Sequence, residues 1–264
     1  MRQYAPVRDY LGQKVADGVN VKLQYGQNYS ATLQALSSGN GEIAETGPFA
    51  AALGVMADDV DIALERHAYG SWDYTSVIVT KKDSDVQSLS DLAGKTVAFA
   101  DVTSASGSLY PLHMLKSAGL SIGEAPTSDK GADFSGTWTS HSQAFSALKD
   151  GQADAAGVGK FITMTENDNG DRVMDPAVRV VKKTSGIPRA PIVTSPKLDD
   201  NKQSNIVDWF KNAPDSMFYG KDGKEGTDDD LWFDGVRPAS LETYQPVINV
   251  AKDLDLSTDL LDSA

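Results

Sequence analysis

A chain of 264 residues, 40% of them hydrophobic and none of them cysteine, is long enough for one large domain or two lobes and uses no disulfide, thiolate metal site or cysteine nucleophile. Its formal net charge of −13, carried mostly by Asp, and the lack of any basic stripe exclude nucleic acid and anionic membrane as natural partners, because phosphate contacts need clustered Lys or Arg. No apolar run approaches the roughly 18 residues of a bilayer span, and residues 1–20 carry no hydrophobic leader.

The opening MRQYAPVRDYLGQK has a helical pattern. VNVKLQY (19–25) predicts a strand. YSATLQALSSG (29–39) predicts a helix with Leu33 and Leu36 on one face and Gly39 at its end. IAETG (43–47) reads as a short strand and turn, and PFAAALGVMA as a helix with Pro48 in its first turn. DYTSVIVTKKDS (73–84) predicts a strong strand, SLSDLAGK (88–95) a short capped helix and TVAFADV (96–102) another strand. SHSQAFSALKDG (140–151) predicts a helix and ADAAGVG (153–159) a short buried strand. VRVVKKT (178–184) and RAPIVTS (189–195) follow as strands, then NKQSNIVDWFKNA (201–213) as a helix. GKDGKEGTDDDLWFDG (220–235) is a solvated polar insertion whose Asp cluster lacks the alternating spacing of an EF-hand calcium loop. The end, 240–264, is helical and exposed. The βαβα order predicts α/β layers with mostly parallel sheets.

The stretch DVTSASGSLYPLHMLKSAGL (101–120) carries the main chemical signal. A strand that ends in small hydroxyl residues and Gly and then opens a helix suits an oxyanion. The first helical N–H groups lack intrahelical partners, and the macrodipole adds partial positive charge. Thr103, Ser104 and Ser106 supply short-reach donors, and Gly107 lets a ligand approach the backbone. The alternative is plain helix capping by Ser and Thr. Thr46 and Gly47 in ETGPFAAAL repeat the device, as does Tyr29 near the start of another helix. Tyr29 also suits an interface position, Tyr74 packing in a hinge strand, and His141 a place beside a helix cap. His67 and His113 have no evident partner, and Trp138, Trp209 and Trp232 read as core.

Several segments resemble the phosphonate-type substrate-binding proteins of ABC transporters, the PhnD-like group that also takes phosphite and phosphate. They are YSATLQALSSGNGEIAETGPFAAAL, YTSVIVTKKDSDVQSLSDLAGKTVAFADVTSASGSLYP, SHSQAFSALKDGQADAAGVG, SGIPRAPIV and LWFDGVRPASLETYQPVINVAKDL. The resemblance implies an α/β, two-lobed type II periplasmic-binding-protein fold. Lobe one would hold residues 1–79 and 191–264, and lobe two 80–190. Two crossover hinge strands would join them near Val77–Lys81 and Ile187–Val193. The family's first strand has no counterpart in this sequence.

By the same resemblance the phosphoryl site uses the hydroxyls and N–H groups of Ser104, Ala105, Ser106 and Gly107, with Tyr29, Tyr74 and His141 as further donors. The family's Ser-Thr-Ser-Gly reads Ser104-Ala105-Ser106-Gly107 here, and Thr103 is placed to compensate for the lost hydroxyl. The family's hinge Ile-Pro-x-Asp-Pro reads Ile187-Pro188-Arg189-Ala190-Pro191, and its Glu after the ADAA strand is replaced within Gly159-Lys160-Phe161. A buried ammonium group needs a carboxylate partner. These departures therefore imply poor binding of aminoalkylphosphonates, with Arg189 and Lys160 favouring a more fully ionised anion. The implied partners are a small phosphorus oxyanion and a membrane permease. The implied protein is a monomer on the periplasmic or extracellular face, lipid-anchored in its full-length form, with no cofactor. The competing readings are a receptor's ligand-sensing domain and a hydrolase using Ser106, His141 and Asp154. The sequence has neither a G-x-S-x-G elbow nor a Walker loop.

Overall fold

The computed structural model describes residues 4–16, 20–220, 222–224, 227 and 230–261. Eleven strands, β1 (Ile43–Glu45), β2 (Asp61–His67), β3 (Asp73–Lys81), β4 (Thr96–Phe99), β5 (Ser135–Trp138), β6 (Ala155–Gly159), β7 (Met164–Glu166), β8 (Arg172–Met174), β9 (Val178–Pro188), β10 (Pro191–Thr194) and β11 (Gly235–Pro238), are found among these residues. The helices are α1 (Ala5–Gly12), α2 (Tyr29–Ser37), α3 (Pro48–Met56), α4 (Tyr110–Ser117), α5 (His141–Lys149), α6 (Asp200–Lys211), α7 (Asp215–Phe218) and α8 (Gln245–Asp253).

One sheet has the order β1–β10–β2–β11 and is antiparallel throughout. The second has the order β5–β4–β6–β3–β9; β4 runs parallel to β5 and β6, whereas β3 runs against β6 and β9. The strands β7 and β8 form a separate hairpin. The expectation of mostly parallel sheets therefore fails, for a topological reason. The order β1–α3–β2 is a parallel crossover unit, and so are β4–α4–β5 and β5–α5–β6. Into each framework the chain inserts a strand arriving from the other sheet, β10 in one and β3 in the other, and that strand runs against its neighbours. The chain leaves the first sheet through residues 68–72, upstream of the expected Val77–Lys81, so β3 lies in the second sheet over its whole length. It returns across Arg189 and Ala190, within the expected Ile187–Val193.

Three further expectations are corrected. Residues 20–25 show burial that alternates as in a strand, with Val21 and Leu23 half-buried and Lys22 and Gln24 exposed, but they pair with nothing. A strand needs a ladder partner, and no strand precedes β1 among the described residues. The C-terminal segment is helical but not exposed: Tyr244, Val247, Ile248, Ala251 and Leu254 are buried along one face. The polar insertion ends in Leu231 and Phe233, which are also buried. Residue 19, residues 262–264 and positions 221, 225, 226, 228 and 229 of the insertion lie outside the described residues.

One apolar core unites the two sheets. Phe49 and Leu53 of α3 and Val247 and Ile248 of α8 pack in the same cluster as Ile78, Phe99, Leu109 and Leu112. Each such side chain contributes about 1.5–3 kcal/mol by leaving water. This core holds the turn after β4 against α3, which positions the candidate site.

Candidate anion site

The chain leaves β4 at Phe99 and turns sharply. Asp101 Oδ1 accepts the Thr103 N–H (2.8 Å) and the Thr103 hydroxyl (2.7 Å). Thr103 is fully buried with its proton committed to Asp101, so it supports the turn from behind and does not replace the missing hydroxyl at Ala105. One wide helical turn, Ala105–Leu109, follows and runs into α4. Ser104 caps it by accepting the Gly107 N–H (3.1 Å). Among the described residues the amides of Ala105 and Ser106 have no acceptor. The Ser106 carbonyl accepts the Ser76 hydroxyl (2.7 Å), which fixes the turn on β3.

His141 reaches this turn from α5, whose first turn is closed by a Ser140–Gln143 capping box. Its Nδ1 accepts the Gly159 N–H (3.2 Å), and its Nε2 lies 3.2 Å from Ser104 Oγ. An Nδ1 that accepts carries no proton, so the neutral ring holds its proton on Nε2 and donates it to Ser104. Burial lowers the His141 pKa to about 4, so the ring is neutral at physiological pH. Ser104 Oγ thus accepts from both Gly107 and His141, and its own proton remains to donate. Gly107 is required here: a Cβ would lie 2.2 Å from the Ala100 Cβ and 2.7 Å from His141 Cε1.

The first sheet supplies the opposite wall. Gly47 precedes α3, and Tyr29 at the start of α2 lies over it; a Cβ on Gly47 would sit 3.2 Å from Tyr29 Cζ. Burial, reinforced by Asp101 and opposed by Arg66, pushes the Tyr29 phenol up. Burial also pushes the Tyr74 phenol well up, against a smaller pull from the neighbouring Ser106 hydroxyl. Both phenols therefore stay protonated and can donate. Ser30 Oγ and Thr46 Oγ1 are buried without a hydrogen-bond partner, while Ser106 Oγ, also buried, has the Tyr74 phenol beside it. The remaining buried orphan, Thr194 Oγ1, lies at the end of β10 away from the hinge. Leaving a buried hydroxyl unpaired costs about 1–3 kcal/mol, so Ser30 and Thr46 are donors open to an acceptor.

Arg189 stands at the return crossover. It is 8% exposed, its Nε donates to the Ser71 carbonyl (2.9 Å), and its guanidinium lies 5.8 Å from the Tyr74 ring centre. Burial pulls its pKa down. Lys160 is exposed, and the side chain on the site from that segment is Phe161, packed 5.3 Å from His141 and 6.4 Å from Tyr74. Two residues escape the sequence reading. Ser30 is adjacent to Tyr29. Arg66 is buried on β2, where it pairs with Glu45 and stacks 3.9 Å over Trp232; its partners are distant in sequence and leave no local signature.

The constellation of Ser106, His141 and Asp154 is not assembled. His141 engages Ser104 rather than Ser106, and its Nδ1 is an acceptor with no proton for a carboxylate. The Asp154 carboxylate accepts the Thr96 N–H (2.8 Å) instead. His67 pairs with Asp234, and His113 lies 3.7 Å from Asp253, so both have partners that the sequence did not reveal. No cluster suited to a metal occurs among the described residues.

The chain matches the family model described as the ABC transporter, phosphonate, periplasmic substrate-binding protein over residues 1–244. It is 28% identical over 233 residues to the phosphonates-binding periplasmic protein of Escherichia coli (strain K12), a match covering 84% of this chain and 63% of that protein. Its fold is similar to that of a binding protein component of an ABC phosphonate transporter from Pseudomonas aeruginosa, at a TM-score of 0.73 and 21% identity over 94% of this chain and 79% of the other. It is equally similar to PhnD1 from Prochlorococcus marinus (MIT 9301), solved in complex with methylphosphonate, at a TM-score of 0.73 and 17% identity over 96% and 92%. The fold is that of the type II periplasmic binding proteins, and the chain belongs to the family of periplasmic substrate-binding proteins of ABC phosphonate transporters.

Proposed function

We propose that this chain is the extracytoplasmic binding component of an ABC importer for a small phosphorus oxyanion: a phosphonate, phosphite or phosphate. It acts by binding alone, as a monomer that delivers its ligand to a membrane permease. The observation that carries this reading is the turn after β4, where the amides of Ala105 and Ser106 are free and the Ser104 hydroxyl keeps its proton to donate, together with the buried, unpartnered hydroxyls of Ser30 and Thr46. The ligand's oxygens accept from these groups and from Tyr29 and Tyr74. The two lobes are built on the two sheets, lobe one from residues up to 67 and from 191 onward and lobe two from residues 73–188. Donors from both sides bind the closed state more tightly than the open one, and that difference drives closure.

Isothermal titration in phosphate-free buffer tests the reading, with phosphate, phosphite, methylphosphonate and 2-aminoethylphosphonate as ligands. One of the first three binds tightly and the aminated ligand binds weakly, because Arg189 stands at the hinge. A folded protein that bound none of them would return the hydroxyls of this turn to a capping role.

A further inference from the structure

Three arginines surround the hinge, and they differ in their partners. Arg66 is paired with Glu45. Arg237 is paired with Glu65 through Nε (2.7 Å) and a second nitrogen (2.6 Å). Arg189 has no carboxylate within ion-pair distance among the described residues, although it is 92% buried by area, the complement of its 8% exposure. The nearby Glu65 accepts only the backbone N–H of Arg189 (3.2 Å), and Asp73 acts on its guanidinium from beyond ion-pair distance. One of five N–H donors is used, on the Ser71 carbonyl. The rest face the Tyr69 ring at 5.4 Å and the Tyr74 ring at 5.8 Å, near the limit of cation–π attraction. Arg172 of β8 flanks the same Tyr69 ring at 4.7 Å, so a second cation stands at the rim beside Arg189. Tyr74 joins this group to the anion turn: its ring neighbours Arg189 and its phenol neighbours Ser106. A buried planar cation with a free fork of donors is complementary to a planar anion.

We propose that the ligand carries two anionic ends, a tetrahedral phosphoryl group on the Ser104–Gly107 turn and a carboxylate held by Arg189. This rests on the oxyanion reading and narrows it to carboxylated phosphonates. Bare alkylphosphonates leave the guanidinium unpaired, and aminated ones place a second positive charge beside it.

The test is isothermal titration of the whole chain with methylphosphonate and phosphonoacetate. Phosphonoacetate binds at least about tenfold tighter, as expected of a charge-assisted pair. Arg189→Gln brings the ratio of the two affinities close to one, and Arg189→Lys, which keeps the charge but loses the fork, retains part of it. Equal binding of the two ligands by the unaltered chain overturns the proposal, as does a ratio that survives Arg189→Gln. If Arg189→Gln does not fold, the ratio in the unaltered chain and in Arg189→Lys decides. If methylphosphonate binds and phosphonoacetate does not, the carboxylate site is wrong while the oxyanion reading stands; if a folded chain binds neither, that reading fails as well.

Discussion

His141 Nε2 lies 3.2 Å from Ser104 Oγ while its Nδ1 takes the Gly159 N–H, so a buried neutral imidazole sets the direction of the Ser104 hydroxyl. Under the proposed reading the ring acts on the ligand through Ser104, from behind the turn. Ser104→Ala is expected to weaken anion binding by about 1.5–3 kcal/mol, the worth of one hydrogen bond to a charged group. Tyr74→Phe is expected to weaken it by a similar amount. Titration of both variants with one phosphorus oxyanion checks the pair, and unchanged affinity in both would remove the turn from the site.

The same imidazole makes stability depend on pH. Its pKa is about 4 in the folded chain against an ordinary value of 6.5. Above pH 6.5 it is neutral in both states and contributes no pH dependence. As pH falls from 6.5 toward 4 the unfolded state binds the proton first, so stability is lost across that window and levels off below it. At about 1.4 kcal/mol per pKa unit the loss is at most about 3.5 kcal/mol, and less where solvent reaches the ring edge. Urea midpoints measured against pH should fall more steeply in this window for the unaltered chain than for His141→Gln.

The unpartnered hydroxyls predict opposite effects on stability and binding. Thr46→Val removes a buried donor that has no acceptor in the ligand-free chain. The variant is expected to be as stable as the parent or more stable by about 1 kcal/mol, and to bind anions less tightly. Ser30→Ala is expected to behave alike. Thermal melts with and without ligand separate the two effects, and a clear loss of stability without ligand would show that these hydroxyls have partners in the free protein.

Gly107→Ala is expected to damage both folding and binding. Its Cβ would meet the Ala100 Cβ at 2.2 Å and His141 Cε1 at 2.7 Å. Neither neighbour is the flexible end of a long side chain, so backbone or ring must move. Overpacking of this kind costs about 1–3 kcal/mol, and the shift of His141 carries Ser104 with it. A lower urea midpoint together with lost anion binding is the expected result.

The turn after β4 is legible in the sequence because its signals are local: a strand end, small hydroxyls, a glycine and a helix start within ten residues. Its partner at Thr46 and Gly47 is legible for the same reason. The strand β2 is not, because DIALERH places Glu65 and Arg66 in succession, which reads as solvated surface. Both are buried, each paired with a charge from another strand or loop, Arg237 and Glu45. The sheet directions are hidden too, since an inserted strand such as β10 looks like any other apolar run. The role of Thr103 depends on where the Asp101 side chain turns, which spacing does not encode.

The two segments that carry the chain between the sheets are bonded to each other. Asp73 faces Pro188 in the β3–β9 ladder, and the Arg189 N–H reaches the Trp72 carbonyl at 3.1 Å. Two chains joined edge to edge form a ribbon, which bends across its flat face far more readily than it twists or shears. If the proposed lobes rotate against each other, this ribbon favours one axis, and Arg189 stands beside it. A ligand group held at that pivot sits at a short radius and travels little as the lobes part, while the Ser104–Gly107 turn sits farther out along the lever. For the two-ended ligand proposed above, release would then begin at the tetrahedral end, with the end at the pivot the last to be freed.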